Sequence, residues 1–101
     1  MGIRVEPPAR DEIIRASEYY DSVSQDIGIA FNVGLKSAFA SIEQNPNAWS
    51  PLRGGVRRYV MKRFPYQLIY RVEADEIVIY AVAHQSRRPG YWRRRVKAAK
   101  P

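Results

Sequence analysis

The sequence predicts a single α+β domain: an N-terminal edge strand, an antiparallel helical hairpin, a three-stranded antiparallel meander and a short C-terminal segment. Three observations carry that expectation. Apolar residues recur at helical spacing through the first half of the 101 residues, and strand-like runs follow a break rich in proline and glycine. The chain is also long enough for one core and too short for two. The boundaries are residues 1–7 for the edge strand, 8–44 for the hairpin, 45–55 for a loop, 56–84 for the sheet and 85–101 for a basic C-terminal segment.

Ile3-Arg4-Val5-Glu6 alternates apolar and polar and is stopped by Pro7-Pro8, as a short strand at a sheet edge would be. From Pro8 to Val23 the positions Ala9, Ile13, Ala16 and Tyr20 form one helical stripe, with Asp11 and Glu12 placed in the first turn, where carboxylates favour the positive end of the helix dipole. Ser24-Gln25-Asp26 reads as a short connection. A second stripe, Phe31, Leu35, Ala38 and Ile42, predicts a helix that ends near Gln44. So short a link forces the two helices antiparallel. Gly28 is expected near the start of the second helix and Gly34 where the first helix approaches closely.

Residues 45–55 carry two prolines, two asparagines and tandem glycines, which predicts irregular structure pinned to the core by Trp49. Arg53-Gly54-Gly55 lacks the following helix that a phosphate cradle would need. Val56 to Lys62 is the first strand of the meander. In the second, Tyr66, Leu68, Tyr70 and Val72 alternate with Gln67, Ile69, Arg71 and Glu73. Ala74-Asp75 makes the turn into the third, Ile77 to Ala83, whose apolar character on both faces predicts a central strand. His84 continues it on the parity of Val78, Tyr80 and Val82, which favours a packed, hydrogen-bonded histidine over a catalytic one.

Charge is unevenly placed. Residues 1–50 hold four basic and seven acidic side chains, net −3, whereas residues 51–101 hold thirteen basic and three acidic, net +10. Such asymmetry points to an acidic or nucleic-acid partner for the second half. The absence of cysteine excludes disulfides and thiolate chemistry, and one histidine cannot build an ordinary zinc site, so neither metal nor cofactor is expected. No apolar run is long enough to span a membrane and the N-terminus lacks a signal-peptide core, so a cytoplasmic location without a membrane partner is expected.

The basic charge culminates in His84-Gln85-Ser86-Arg87-Arg88-Pro89-Gly90-Tyr91-Trp92-Arg93-Arg94-Arg95. Arg87 and Arg88, presented by the Pro89-Gly90 turn, suit bidentate contacts to carboxylate or phosphate. Tyr91 and Trp92 can stack on a partner, although one of them, Trp92 in preference, is expected to close the core. The Arg93-Arg94-Arg95 run reads equally as contact surface and as solvated tail.

Phe64-Pro65-Tyr66-Gln67-Leu68-Ile69-Tyr70-Arg71-Val72, then Ile77 to His84, then Arg87-Arg88-Pro89-Gly90-Tyr91-Trp92, in this order and at these separations, resemble the RelE/ParE superfamily of bacterial toxins, in its ParE-like, plasmid-stabilisation branch. Ala9-Arg10-Asp11, the Tyr19-Tyr20 pair and Asn45-Pro46 after the second helix agree, and the resemblance spans about residues 3–95. It implies the toxin of a type II toxin–antitoxin pair, masked by a cognate antitoxin whose extended, partly helical tail wraps it. ParE-like members are associated with poisoning DNA gyrase, which gives a target-binding surface at Arg58, Lys62, Arg87, Arg88, Tyr91, Trp92 and Arg93. RelE-like members cut mRNA on the ribosome. For that alternative the charge-stabilising and proton-transfer set is Lys62, Arg63, Arg87 and Tyr91. Gln67 stands where nuclease members often carry an arginine, which weighs against cutting. A third reading is an inactive relative that keeps only antitoxin binding.

Overall fold

The structure, a computed structural model, describes residues 1–99; the last two residues of the 85–101 segment lie outside the described residues. Its elements are β1 (Gly2–Val5), α1 (Pro7–Val23), α2 (Gln25–Gln44), β2 (Ser50–Pro51), β3 (Arg57–Val60), β4 (Tyr66–Glu73), β5 (Glu76–His84) and α3 (Arg93–Ala99). The strands form one sheet in the order β1-β5-β4-β3-β2. All neighbours are antiparallel except β1 and β5, which run parallel with Gly2 opposite Glu76 and Val5 opposite Ile79. No helix among the described residues is long and apolar enough to cross a membrane.

Helix α1 begins on Pro7 and Pro8, whose missing N–H groups go unneeded in a first turn. Starting one residue before the expected Pro8, it carries no carboxylate in its first turn, and Asp11 and Glu12 do not act there as dipole partners. The link to α2 is one residue, not the three expected. Ser24 closes α1 through its N–H to the Tyr20 carbonyl at 3.2 Å, and its hydroxyl caps α2 by accepting the Ile27 N–H at 3.1 Å. The hairpin lays Ala9, Ala16, Phe31, Leu35, Ala38 and Ile42 against Leu68, Tyr70, Ile77, Ile79 and Val82, and closes one end with the rings of Tyr20, Phe31, Phe64 and Tyr66.

The close approach of the two helices is at Gly28, not Gly34. A Cβ on Gly28 would stand 1.8 Å from Asp21 Oδ1 and 3.1 Å from Asp21 Cα, whereas one on Gly34 would meet Met61 Cε at 3.3 Å, on the sheet side. Gly28→Ala is therefore expected to lower stability by about 1–2 kcal/mol, overpacking outweighing the helix-propensity gain. Gly34→Ala, opposite a flexible methionine tip, is expected to be neutral or stabilising by up to about 1 kcal/mol. Urea midpoints at unchanged slope measure both, and equal effects would contradict this assignment.

Trp49 pins the 45–55 loop as expected, donating from Nε1 to the Ser41 carbonyl at 3.3 Å and packing edge-on to Tyr59. The loop is less irregular than its composition implies, since Ser50 and Pro51 pair with Arg58 and Arg57 as β2. Strand β3 is correspondingly shorter than the expected 56–62. The Ala74-Asp75 turn forms as expected, with Ala74 at φ 52°.

Two departures position the site. First, a β-bulge interrupts the pairing of β4 with β5: Ile69 opposes Ala81 and Tyr70 opposes Ile79, which leaves Tyr80 without a partner. Val78, Tyr80 and Ala81 therefore share one face while Val82 passes to the hairpin face, and His84 stacks edge-on against Tyr66 on that side. The parity that grouped His84 with Val78 and Tyr80 does not survive the bulge. Second, the basic run Arg93-Arg94-Arg95 is not a solvated tail. It is the first turn of α3, which sets Trp92 and Val96, spaced i, i+4, on Val56, Ile69, Val78 and Tyr80, so both faces of β5 are covered.

Candidate functional site

Strand β1 ends its pairing at Ile79, so the edge of β5 from Tyr80 onward has no strand beside it. Side chains satisfy that edge. The Val82 N–H donates to Glu12 Oε1 at 3.0 Å, and Arg95 Nη1 donates to the Tyr80 carbonyl at 3.1 Å. Glu12 is 6% exposed and is the one buried charged residue among those described. Arg95 grips it with both terminal nitrogens, at 2.9 and 3.0 Å, Tyr91 donates its hydroxyl proton to Oε2, and Arg87 approaches to 3.9 Å. A buried carboxylate requires such company, because an uncompensated one would carry a large desolvation penalty.

Tyr91 is held from every side. The guanidinium carbons of Arg87 and Arg95 both lie over its ring, 3.9 and 5.1 Å from the centroid. Burial, and then the hydrogen bond to Glu12, push its phenol well above the ordinary tyrosine range. The approach to this cluster is fixed locally: Arg87 N–H returns to the His84 carbonyl at 2.9 Å, and Ser86 N–H donates to His84 Nδ1 at 3.0 Å. His84 thus serves as a turn acceptor.

The residues singled out from sequence fall into three groups. Lys62, Arg63, Arg87 and Arg88 are exposed. Arg58 is half-buried with its Nε unpartnered, and together with Lys62, Arg63, Tyr66, Gln67 and Gln85 it lines an open depression of about 550 Å³. Arg87 lies instead in a neighbouring depression of about 150 Å³ with Glu12, Arg15, Tyr66 and His84. The four residues of the proposed cutting set are therefore split: Lys62 and Arg63 line one hollow, Arg87 another, and Tyr91 lines neither. Trp92 is 4% exposed, so its place in the contact surface is withdrawn, while its expected role in the core holds. Arg93 is half-buried, stacked on Trp92 at 4.6 Å and bonded to the Arg53 carbonyl at 2.9 Å.

The residues missed from sequence are Glu12 and Arg95. One signal was present, since Glu12 lies three residues after Ala9 and four before Ala16, inside the buried stripe of α1.

A family model for the ParE toxin of the type II toxin–antitoxin system parDE matches residues 3–89. This chain belongs to the ParE toxin family. Toxin ParE2 of Mycobacterium tuberculosis, from strains CDC 1551 / Oshkosh and ATCC 25618 / H37Rv, is 31% identical over 88 residues, 86% of this chain and 84% of the relative. A solved structure described as the chromosomal ParDE TA system from P. aeruginosa superposes with a TM-score of 0.73 at 20% identity, covering 83% of this chain and 95% of that one, and agrees in fold. The family match stops at Pro89, so the Glu12–Tyr91–Arg95 cluster of this ParE-family toxin is assembled across its end.

In this ParE-family chain a second tyrosine is similarly tied. Tyr80 donates to Glu73, which also pairs with Arg71, and burial followed by that bond raises its phenol to about 12. Alkaline titration read by tyrosinate absorbance is expected to show Tyr80 ionising near pH 12 and Tyr91 well above the ordinary range. Tyr80→Phe and Tyr91→Phe should each delete one late step. Because both phenols hold their protons more tightly folded than unfolded, the stability they contribute is whole below about pH 10, the unfolded value, and is lost as pH rises through the folded ones. Ionisation of both together near pH 10 would contradict the burial assigned here.

Proposed function

We propose that this ParE-family toxin arrests growth by binding DNA gyrase, through the exposed basic rim of Lys62, Arg87 and Arg88 flanked by Arg58 and Arg93, and that a cognate antitoxin neutralises it by masking that rim. The observation that supports binding over mRNA cleavage is the commitment of Tyr91. Attack by a 2′-hydroxyl needs a group that accepts a proton near neutral pH and a second that donates one. A phenol raised by burial, with its O–H already engaged in a hydrogen bond to Glu12 and two guanidiniums against its ring, fills neither role. Gln67, beside Lys62 and Arg63 in the depression of about 550 Å³, adds no cation of its own for a developing phosphorane charge. Tyr91 and Trp92 support the rim from within, and the gripping is left to the arginines and Lys62, whose charges a partner can reach.

Purified toxin is expected to inhibit gyrase supercoiling at near-stoichiometric ratios, with inhibition relieved by the antitoxin and reduced at least tenfold in Lys62→Ala/Arg88→Ala. Unimpaired supercoiling, together with new mRNA ends inside codons on induction, would replace this reading with ribosome-dependent cleavage.

A further inference from the structure

On the sheet face opposite the helical hairpin, α3 and the Gly54-Gly55 loop enclose a crevice of about 150 Å³ whose floor is Val56 and Val96 and whose walls carry Arg53, Arg71, Arg93 and Lys97. No acidic side chain lines it among the described residues. Arg71 is paired with Glu73, so the three cations without an ion pair beside the apolar floor, Arg53, Arg93 and Lys97, repel one another, and two of the four basic side chains are held in place by the fold. Arg93 is stacked on Trp92 at 4.6 Å and bonded to the Arg53 carbonyl at 2.9 Å. Arg71 is fixed by Glu73, at 2.9 Å from Nε and 2.6 Å from Nη2, with Tyr80 beside it. Arg53, Arg93 and Lys97 form no ion pair among the described residues. Beside it Gly54 and Gly55 take φ 90° and 78°, and a Cβ on either would meet the Arg93 or Arg71 side chain at an ordinary contact distance of 3.7 Å.

Prepositioned guanidiniums lose little further freedom when an anion arrives, and an anion relieves their mutual repulsion. The volume corresponds to about five waters, enough for a phosphate group and too little for a nucleoside. A carboxylate presents two oxygens in one plane and would meet two of the three unpaired cations. A phosphodiester directs its oxygens apart and suits cations arranged around it, fork-like arginines and a point-charge lysine together.

We propose that this crevice seats one backbone phosphate of a nucleic acid. The seat shares Arg93 with the flank of the rim but none of Lys62, Arg87 and Arg88, and it does not depend on gyrase being the target. It would let the toxin hold nucleic acid with one face of the sheet while the rim engages a protein.

The test is an amide NMR titration of the intact chain with inorganic phosphate, a short DNA duplex, single-stranded RNA and an acidic peptide, each at fixed ionic strength. Saturable shifts at the Gly54 and Gly55 amides are expected with phosphate and with at least one nucleic acid, and the DNA and RNA arms identify the source. Arg53→Gln/Lys97→Gln is expected to weaken nucleic-acid binding at least tenfold and to lower the slope of log affinity against log salt by about 0.9, one phosphate contact. Lys62→Gln/Arg63→Gln removes the same charge elsewhere and should leave the glycine shifts intact. Glycine amides that do not move, that move with the peptide alone, or that respond equally to both double substitutions would overturn the proposal.

Discussion

Glu12→Ala is expected to cost about 3–5 kcal/mol of folding stability, a large part of the roughly 5–15 kcal/mol that a domain of this size possesses. The substitution removes one carboxylate and strands Arg95 Nη2, the Tyr91 hydroxyl and the Val82 N–H on the open edge of β5, and it leaves Arg95 Nη1 with the Tyr80 carbonyl but no counter-charge. Arg95 retains 22% side-chain exposure and can turn partly to water, which places the loss toward the lower end of that range. At about 4–8 °C per kcal/mol, Tm should fall by at least about 12 °C. Glu12→Gln should cost less, because its amide oxygen still accepts one bond although its NH₂ faces Arg95. A cycle pairing Glu12→Ala with Arg95→Met should show coupling of about 1–3 kcal/mol, since removing both partners leaves no unpaired charge. A loss under about 1 kcal/mol for Glu12→Ala would mean that the cluster behaves as a surface pair, and the account of how the C-terminal segment is held would fail.

Trp92→Ala is expected to cost a further independent 3–5 kcal/mol, by emptying the space between α3 and the exposed side of the sheet. The ring is the largest group on that face, and without it Val96 is left, among the side chains described in α3, as the apolar one set on Val56, Ile69, Val78 and Tyr80. Trp92→Phe fills most of that space and should cost about 1 kcal/mol. This pair of substitutions separates packing from contact. If Trp92 touched the target directly, Trp92→Phe would leave the urea midpoint near the parent value and abolish target inhibition. With the ring in the core, toxicity should follow stability through both substitutions.

Periodicity located the helices, the β4–β5 pair and the Ala74-Asp75 turn, because each depends on neighbours a few residues apart. It failed where an element's character depends on distant contacts. Helix α3 shows only Trp92 and Val96 at helical spacing amid three arginines, too little apolar signal to reveal a helix. The bulge at Tyr80 leaves no local mark in an uninterrupted apolar run, yet it exchanges the faces of everything after it, His84 included. Glu12 reads as an ordinary early-helix carboxylate until residue 95 is known to stand beside it.

The sequence by itself determined the helical hairpin, the meander, the α+β class and, through an ordered series of residues, the toxin family. Only the tertiary structure decided which of the second half's cations, among the described residues, are free to meet a partner. Arg71 is paired with Glu73 and Arg95 with Glu12, whereas Arg93 is held by Trp92 and the Arg53 carbonyl without an ion pair and Lys62 and Arg88 remain exposed. The physical reason is that a charge's availability depends on desolvation and on partners as far as 83 residues away, and a local pattern carries neither.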